Sequence, residues 1–268
     1  MIGNTAASTG GGIGGLAAAG SSCRVYGGLV AGNTAPEGGG ASYSFFYGGT
    51  VFSNNTATTK GGGGIESDNS RFVSNAVFVC NTATAGVGGA AYGGTLVGCE
   101  IFGNRAINGG GVAGSICESC TIADNLCEKM FISTSTEGAT EVVNCIFAGN
   151  RNASGEARNL WYDKATYNKI RLQNCLIGSG RNPAVAPPYE EANTVTNDNA
   201  KFVKDGSRDA YALKRSSPAI GKGLIQDWMT DVTDIRQDPA CPRLRDGKVD
   251  IGCYQCWLDP VGMWFSIR

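Results

Sequence analysis

Histidine is absent from this chain, and its absence limits what the remaining residues could do chemically. Without imidazole there is no side chain of near-neutral pKa to act as general base, and the commonest metal ligand is missing. Serine-histidine and cysteine-histidine nucleophile systems are therefore excluded. What remains for chemistry is 23 acidic and 22 basic side chains with 11 cysteines, in 268 residues. Hydrolysing or eliminating a glycosidic linkage needs a carboxylate pair, or a base beside acidic groups. Residues 1–125 hold only Arg24, Glu37, Lys60, Glu66, Asp68, Arg71, Glu100, Arg105, Glu118 and Asp124 as charged groups, which argues against an active site there. Carboxylates gather later, at Asp231, Asp234 and Asp238, where the two readings are a calcium site and a solvated acidic loop. No calcium-loop spacing is present, which favours the loop.

The cysteines pose a similar choice. Cys117-Glu118-Ser119-Cys120 has the spacing of a zinc half-site, but the phase of the cysteines points elsewhere. Cys99, Cys120, Cys145 and Cys175 each stand two residues before an apolar residue that opens a recurring mark, as in Cys99-Glu100-Ile101 and Cys145-Ile146-Phe147. A residue that returns at one structural position reads as a buried stack, and a free cysteine packs as a small hydrophobe; a disulfide or metal role is the alternative. Cys241, Cys253 and Cys256 fall outside this phase and are better disulfide candidates, with the odd total leaving at least one thiol unpaired. The glycine runs lack a Gly-Lys-Ser/Thr ending and precede no helix, so they are not phosphate loops. No catalytic residue, metal site or cofactor is assigned.

The elements that carry these residues are set by a repeat. An apolar residue, two spacers and an asparagine recur as Met1 to Asn4, Val30 to Asn33, Phe52 to Asn55, Phe78 to Asn81, Ile101 to Asn104, Ile122 to Asn125 and Phe147 to Asn150. Successive asparagines lie 29, 22, 26, 23, 21 and 25 residues apart, the size of one structural repeat. In phase with them come glycine runs ending in a small or branched apolar residue, as in Gly10-Gly11-Gly12-Ile13, Gly38-Gly39-Gly40-Ala41 and Gly109-Gly110-Gly111-Val112. Tyr26, Tyr47 and Tyr92, each followed by two glycines, form a partial third mark.

The expected fold is all-β: a single right-handed parallel β-helix over residues 1–180, with an irregular connection and capping or anchor module over 181–268. Short strands pair with their equivalents one turn on, and corners go to glycine and asparagine, which tolerate left-handed backbone. Asn33, Asn55, Asn81, Asn104, Asn125 and Asn150 are read as a ladder whose amides hydrogen-bond along the stack. Of 41 glycines, 30 precede residue 121, which is incompatible with long helices. From about residue 126 the turns lengthen and become more polar, and 182–199, with Pro183, Pro187, Pro188 and Glu190-Glu191, reads as a surface connection. Trp161-Tyr162, Tyr167, Trp228, Trp257 and Trp264 concentrate in the later half, either gripping sugar, with Trp161 and Tyr162 the candidate contacts, or covering open ends of the stack.

The glycine marks and the Phe-x-x-Asn marks at Phe52, Phe78 and Phe147 resemble the repeats of polymorphic outer-membrane proteins and related bacterial right-handed parallel β-helix proteins. The later motifs Lys201-Phe202-Val203, Tyr211-Ala212-Leu213, Ser217-Pro218-Ala219-Ile220 and Asp250-Ile251-Gly252-Cys253-Tyr254-Gln255 are similar to the closing module of secreted proteins of the choice-of-anchor type. Gly221, Cys253 and Gln255 depart from that module's usual aspartate, alanine and glutamate, so no role of those acids is carried over. The resemblance implies export to the cell surface or exterior and no established catalytic residues.

Net charge −1 and pI near 5.6 argue against nucleic acid or an anionic membrane as partner. No transmembrane segment is expected, and the first residues already belong to a turn of the stack, so an upstream portion carrying an export signal is expected. The leading functional expectation is a non-enzymatic secreted or surface solenoid for adhesion or binding of extracellular glycan, at a host or other cell surface. The alternative is a pectate-lyase-like carbohydrate-active enzyme, a lyase or hydrolase, which would need a groove with convergent acidic and basic groups.

Overall fold

The computed structural model describes residues 1–15, 22–68, 70–130, 140–160, 170–181, 190–207 and 209–256. One full turn shows the plan. Phe72–Ser74, Val77–Val79, Thr82–Val87 and Ala91–Tyr92 are followed by Thr95–Val97, Glu100–Phe102, Arg105–Asn108 and Val112–Ala113. Each strand pairs in parallel with its equivalent one turn later, so that Val77, Phe78 and Val79 lie over Glu100, Ile101 and Phe102. Four parallel sheets result, of 8, 8, 5 and 4 strands. The first runs from Arg24–Tyr26 to Glu190–Ala192, and the second from Leu29–Ala31 to Val195–Thr196. The third runs from Thr34–Ala35 to Leu126–Met130, and the fourth from Ala41–Ser42 to Val112–Ala113. Residues 2, 5, 9 and 13 bridge to Ala31, Thr34, Glu37 and Ala41 and add a further turn. Among the described residues there is no α-helix, only a 3-10 turn at Asp227–Met229. The molecule is a parallel β-solenoid.

In-register pairing turns a sequence repeat into columns. Val30, Phe52, Phe78, Ile101, Ile122, Phe147 and Ile177 stand one above another inside the second sheet, and all are buried. The Phe52 and Phe78 rings stack at 4.7 Å and 5°. From the first sheet Phe46, Val73, Leu96, Cys117, Val142 and Leu172 meet them across the core. Each such side chain contributes about 1.5–3 kcal/mol by leaving water.

Two features differ from the sequence reading. Within 182–199, Glu190–Ala192 and Val195–Thr196 pair with Ile170–Gln173 and Leu176–Ile177, so this part is a last turn rather than a surface connection. Parallel pairing asks only for extended backbone, and charged residues are tolerated on a strand at the edge of a sheet. The ladder asparagines are also not the left-handed corner residues. That conformation belongs to the residue before each, Gly32, Asn54, Cys80, Gly103, Asp124 and Gly149.

The described C-terminal residues fold back along the flank and cover the outer face of the later strands of the second sheet. Ala123, Ile146, Ala148 and Leu176, which point outward, are buried against Ala200, Phe202, Leu213, Ala219 and Ile251. Polar contacts fix the placement: Asn144 Nδ2 donates to Leu224 O at 2.8 Å, Asn174 Nδ2 to Lys222 O at 2.9 Å, and the Cys253 N–H to Thr121 Oγ1 at 3.1 Å. The Tyr254 hydroxyl donates to buried Glu100 at 3.2 Å. Inside the module Asp250 joins its two motifs, accepting from Gly221 N and Cys256 N at 2.6 Å each.

Candidate functional site

The ladder is continuous. Asn33, Asn55, Asn81, Asn104 and Asn125 each donate both the backbone N–H and the side-chain Nδ2 to Oδ1 of the next ladder asparagine, at 2.9–3.0 Å. Asn4 joins at one end and Asn159 at the other, beyond Asn150. Asn159 lies only nine residues after Asn150 and carries no repeat mark, so nothing in the period exposed it. From Asn33 to Asn150 every side-chain amide is buried and hydrogen-bonded through both its oxygen and its nitrogen, so this length of the column is a structural device.

Cys99, Cys120, Cys145 and Cys175 likewise form a column, each thiol donating to a first-sheet carbonyl one turn back: Val73, Leu96, Cys117 and Val142, at 3.4–3.5 Å. Burial holds Cys99 and Cys145 protonated and pushes Cys175 up to about 12. The thiolate is the reactive form, so Cys99, Cys145 and Cys175 are inert; at Cys120 burial raises the thiol but hydrogen bonds with the Cys117, Cys145 and Cys99 thiols outweigh it and lower the pKa, and its full burial keeps reagents out. All eleven cysteines are free thiols, and Cys241, Cys253 and Cys256 do not form the disulfide expected of them.

The solvated-loop reading of Asp231, Asp234 and Asp238 is also corrected. Asp231 and Asp238 are exposed, but Asp234 is buried beneath Arg236, with which it forms an ion pair, and accepts the Gln255 N–H at 2.9 Å. Among the described residues no group of three or more His, Cys, Asp and Glu side chains could hold a metal ion.

Concavity is found where the module overhangs the first sheet. A cavity of about 470 Å3 is lined by Phe72, Asn75, Val97 and Glu118 from the solenoid and by Trp228 and Thr233 from the module. Glu118 closes the strand Ile116–Glu118, and Asn75 occupies the left-handed corner after Phe72–Ser74. Trp228 belongs to the 3-10 turn, so it stands on the flank and plugs no end of the stack. Burial raises the Glu118 carboxyl pKa, while Trp228 and Gln226 facing it work in the opposite direction. The indole Nε1 of Trp228 is buried on the Glu118 side of the cavity and favours the ionised carboxylate there. A strip of rings leads toward the cavity: exposed Tyr26 stacks on Tyr47 at 5.2 Å, and Tyr47 lies 6.2 Å from Phe72.

A second cluster joins residues whose scarcity in the sequence spoke against chemistry. Lys60 Nζ lies 3.1 Å from Glu66 and 3.6 Å from Glu37. Burial raises the Glu66 pKa more than Lys60 lowers it, and pairing with Glu66 raises Lys60. Lys60 and Glu66 flank the glycine run of one turn, and the turn-to-turn register adds Glu37 from the turn before, a convergence that carries no mark in the sequence. The Glu66 side chain is 2% exposed, however, and a substrate oxygen does not reach it.

Trp161 and Tyr162, the candidate sugar contacts, lie outside the described residues, as do Tyr167, Trp257 and Trp264. Among the described residues no helix is long and apolar enough to cross a membrane. Fold and cavity together define a parallel β-solenoid with a laterally docked C-terminal module. Compared with protein-family models and with curated proteins, the chain finds no match.

Proposed function

We propose that this protein is a secreted or cell-surface solenoid of the kind bacteria export, and that it binds extracellular glycan without transforming it. The flank cavity carries this reading. Aromatic faces at Phe72 and Trp228 suit the carbon faces of sugar rings, and Asn75, Glu118 and Thr233 offer amide, carboxylate and hydroxyl groups for ring hydroxyls. The strip from Tyr26 to Phe72 would let a longer chain continue along the solenoid axis. The repeat and C-terminal motifs support export and a surface role. The test is calorimetric titration with oligosaccharide panels. W228A is expected to weaken binding at least tenfold, about 1.4 kcal/mol, with a cooperative melt showing that the variant is still folded. Absence of binding by every oligosaccharide would end the proposal.

The enzymatic alternative draws on Glu37, Lys60 and Glu66, where a carboxyl of raised pKa beside a second carboxylate matches the acid and base needed for glycoside hydrolysis. The burial of Glu66 weighs against it. Incubation with plant and host polysaccharides should yield neither unsaturated nor reducing ends; products that disappear in K60A would establish the enzyme.

A further inference from the structure

We propose that the flank cavity selects sugars bearing a protonated amine, 2-amino-2-deoxy hexose units, over neutral or acidic sugars. This rests on the glycan reading of the same cavity and specifies its ligand. Among the described residues Glu118 is the sole charged side chain lining the space, and no lysine or arginine forms an ion pair with it. The nearby glutamate, Glu141, adds negative potential, itself partly offset by Arg171 at 3.3 Å. Phe72 and Trp228 are aromatic rings of the lining, and the face of such a ring attracts an ammonium group. Val97 and Val232 are apolar cover for a ring skeleton, and Ser74, Asn75 and Thr233 are short polar groups placed for hydroxyls, which a linear polyamine would leave unused.

The electrostatics decide against acidic sugars. A uronate or sulfate entering here would meet a carboxylate with no cation beside it, at a lowered local dielectric where like charges repel strongly. A neutral sugar would leave Glu118 without a counter-charge. An ammonium supplies that charge and, as a nearby opposite charge, offsets the effect of burial that raises the carboxyl's affinity for protons.

The test titrates the full chain, at a pH where the amine is charged, with a glucosamine tetrasaccharide, its fully N-acetylated counterpart, an oligogalacturonide and spermidine. The glucosamine oligomer should bind at least about tenfold tighter than the acetylated one, with no detectable binding of the oligogalacturonide. E118Q should abolish that preference while keeping the residual affinity for the acetylated oligomer, and W228A should weaken both. Melting curves check that the variants fold. Lowering the pH of the parent protein until Glu118 is protonated should erase the same preference without any substitution. Equal affinity for the two oligomers, a preference that survives E118Q, or spermidine binding as tightly as the amino sugar would overturn amine selection while leaving glycan binding in place. Failure of every sugar to bind would remove the glycan reading itself.

Discussion

Asn81 holds five hydrogen bonds from one amide and one N–H: two from Asn55 onto its Oδ1, two toward Asn104, and one from Nδ2 to Phe52 O. Replacing it by alanine leaves the Asn55 donors and the Phe52 carbonyl buried and unpaired, a loss of about 1–3 kcal/mol for the group. N81A should therefore lower the denaturation free energy by that amount in urea melts, and N81D should not rescue it, since a carboxylate cannot donate to Asn104. An unchanged midpoint would mean that the ladder is not stabilising. At this scale the sequence was informative wherever a residue type recurred in phase, as the asparagine and cysteine columns did. It was silent on Asn159, which enters the ladder outside the period, and on the Glu37-Lys60-Glu66 contact. The corner conformation illustrates a subtler limit. Asn54, Cys80 and Asp124 adopt left-handed backbone in positions that Gly32 and Gly103 also fill, so no single residue type marks them.

At the scale of the element, glycine runs are required by how closely turns approach, and by conformation at some positions only. A Cβ at Gly63 would stand 2.2 Å from Gly89 O and 2.6 Å from Thr82 N, both backbone atoms that cannot yield without shifting a turn. Gly103, by contrast, has φ of +65°, and its Cβ would meet nothing nearer than the Cys80 sulfur at 3.3 Å. G103A should lose about 1–2 kcal/mol through left-handed strain. G63A should lose more, about 3 kcal/mol or above, because overpacking against fixed backbone has no relaxed solution. Chemical denaturation of the pair tests the order, and equal losses would contradict the steric account. The same scale explains why the module's place was hard to read. Leu29–Ala31 alternates exposed and buried, whereas Thr121–Ala123 and Ile146–Ala148 are buried throughout. The sequence does show outward positions turning apolar in the later turns, but a strand of three residues is too short for alternation to be distinguished from burial on both faces.

For the molecule as a whole, the missing histidine makes pH dependence unusually informative. With no imidazole present, changes in stability between about pH 5 and about pH 7.5 report chiefly carboxyl groups held above their ordinary range, with the lowered Cys120 thiol acting in the opposite direction. Among the described residues three such groups are resolved, each raised first of all by burial: Glu66 beside Lys60, Glu118 in the flank cavity, and Asp250 at the centre of the module. A carboxyl whose folded pKa is raised binds its proton more tightly in the native state than in the unfolded chain. Its contribution is therefore fully present below the ordinary carboxyl pKa, and it is lost as pH rises through the raised folded value. All three groups act in the same direction, so the melting temperature should be higher at about pH 5 than at about pH 7.5, opposite to the trend of a protein dominated by salt-bridged carboxylates. Calorimetric scans across that window measure it. E66Q removes one titrating group and should flatten the curve, with D250N as a second, spatially separate check. The cavity offers an independent lever: an amino sugar bound at Glu118 favours the ionised carboxylate, so saturating ligand should raise stability most at the neutral end and reduce the slope further. A melting temperature that climbs from about pH 5 to about pH 7.5 in the unliganded protein would show that these carboxyls are ionised without strain, and the electrostatic argument for the cavity would lose its footing with them.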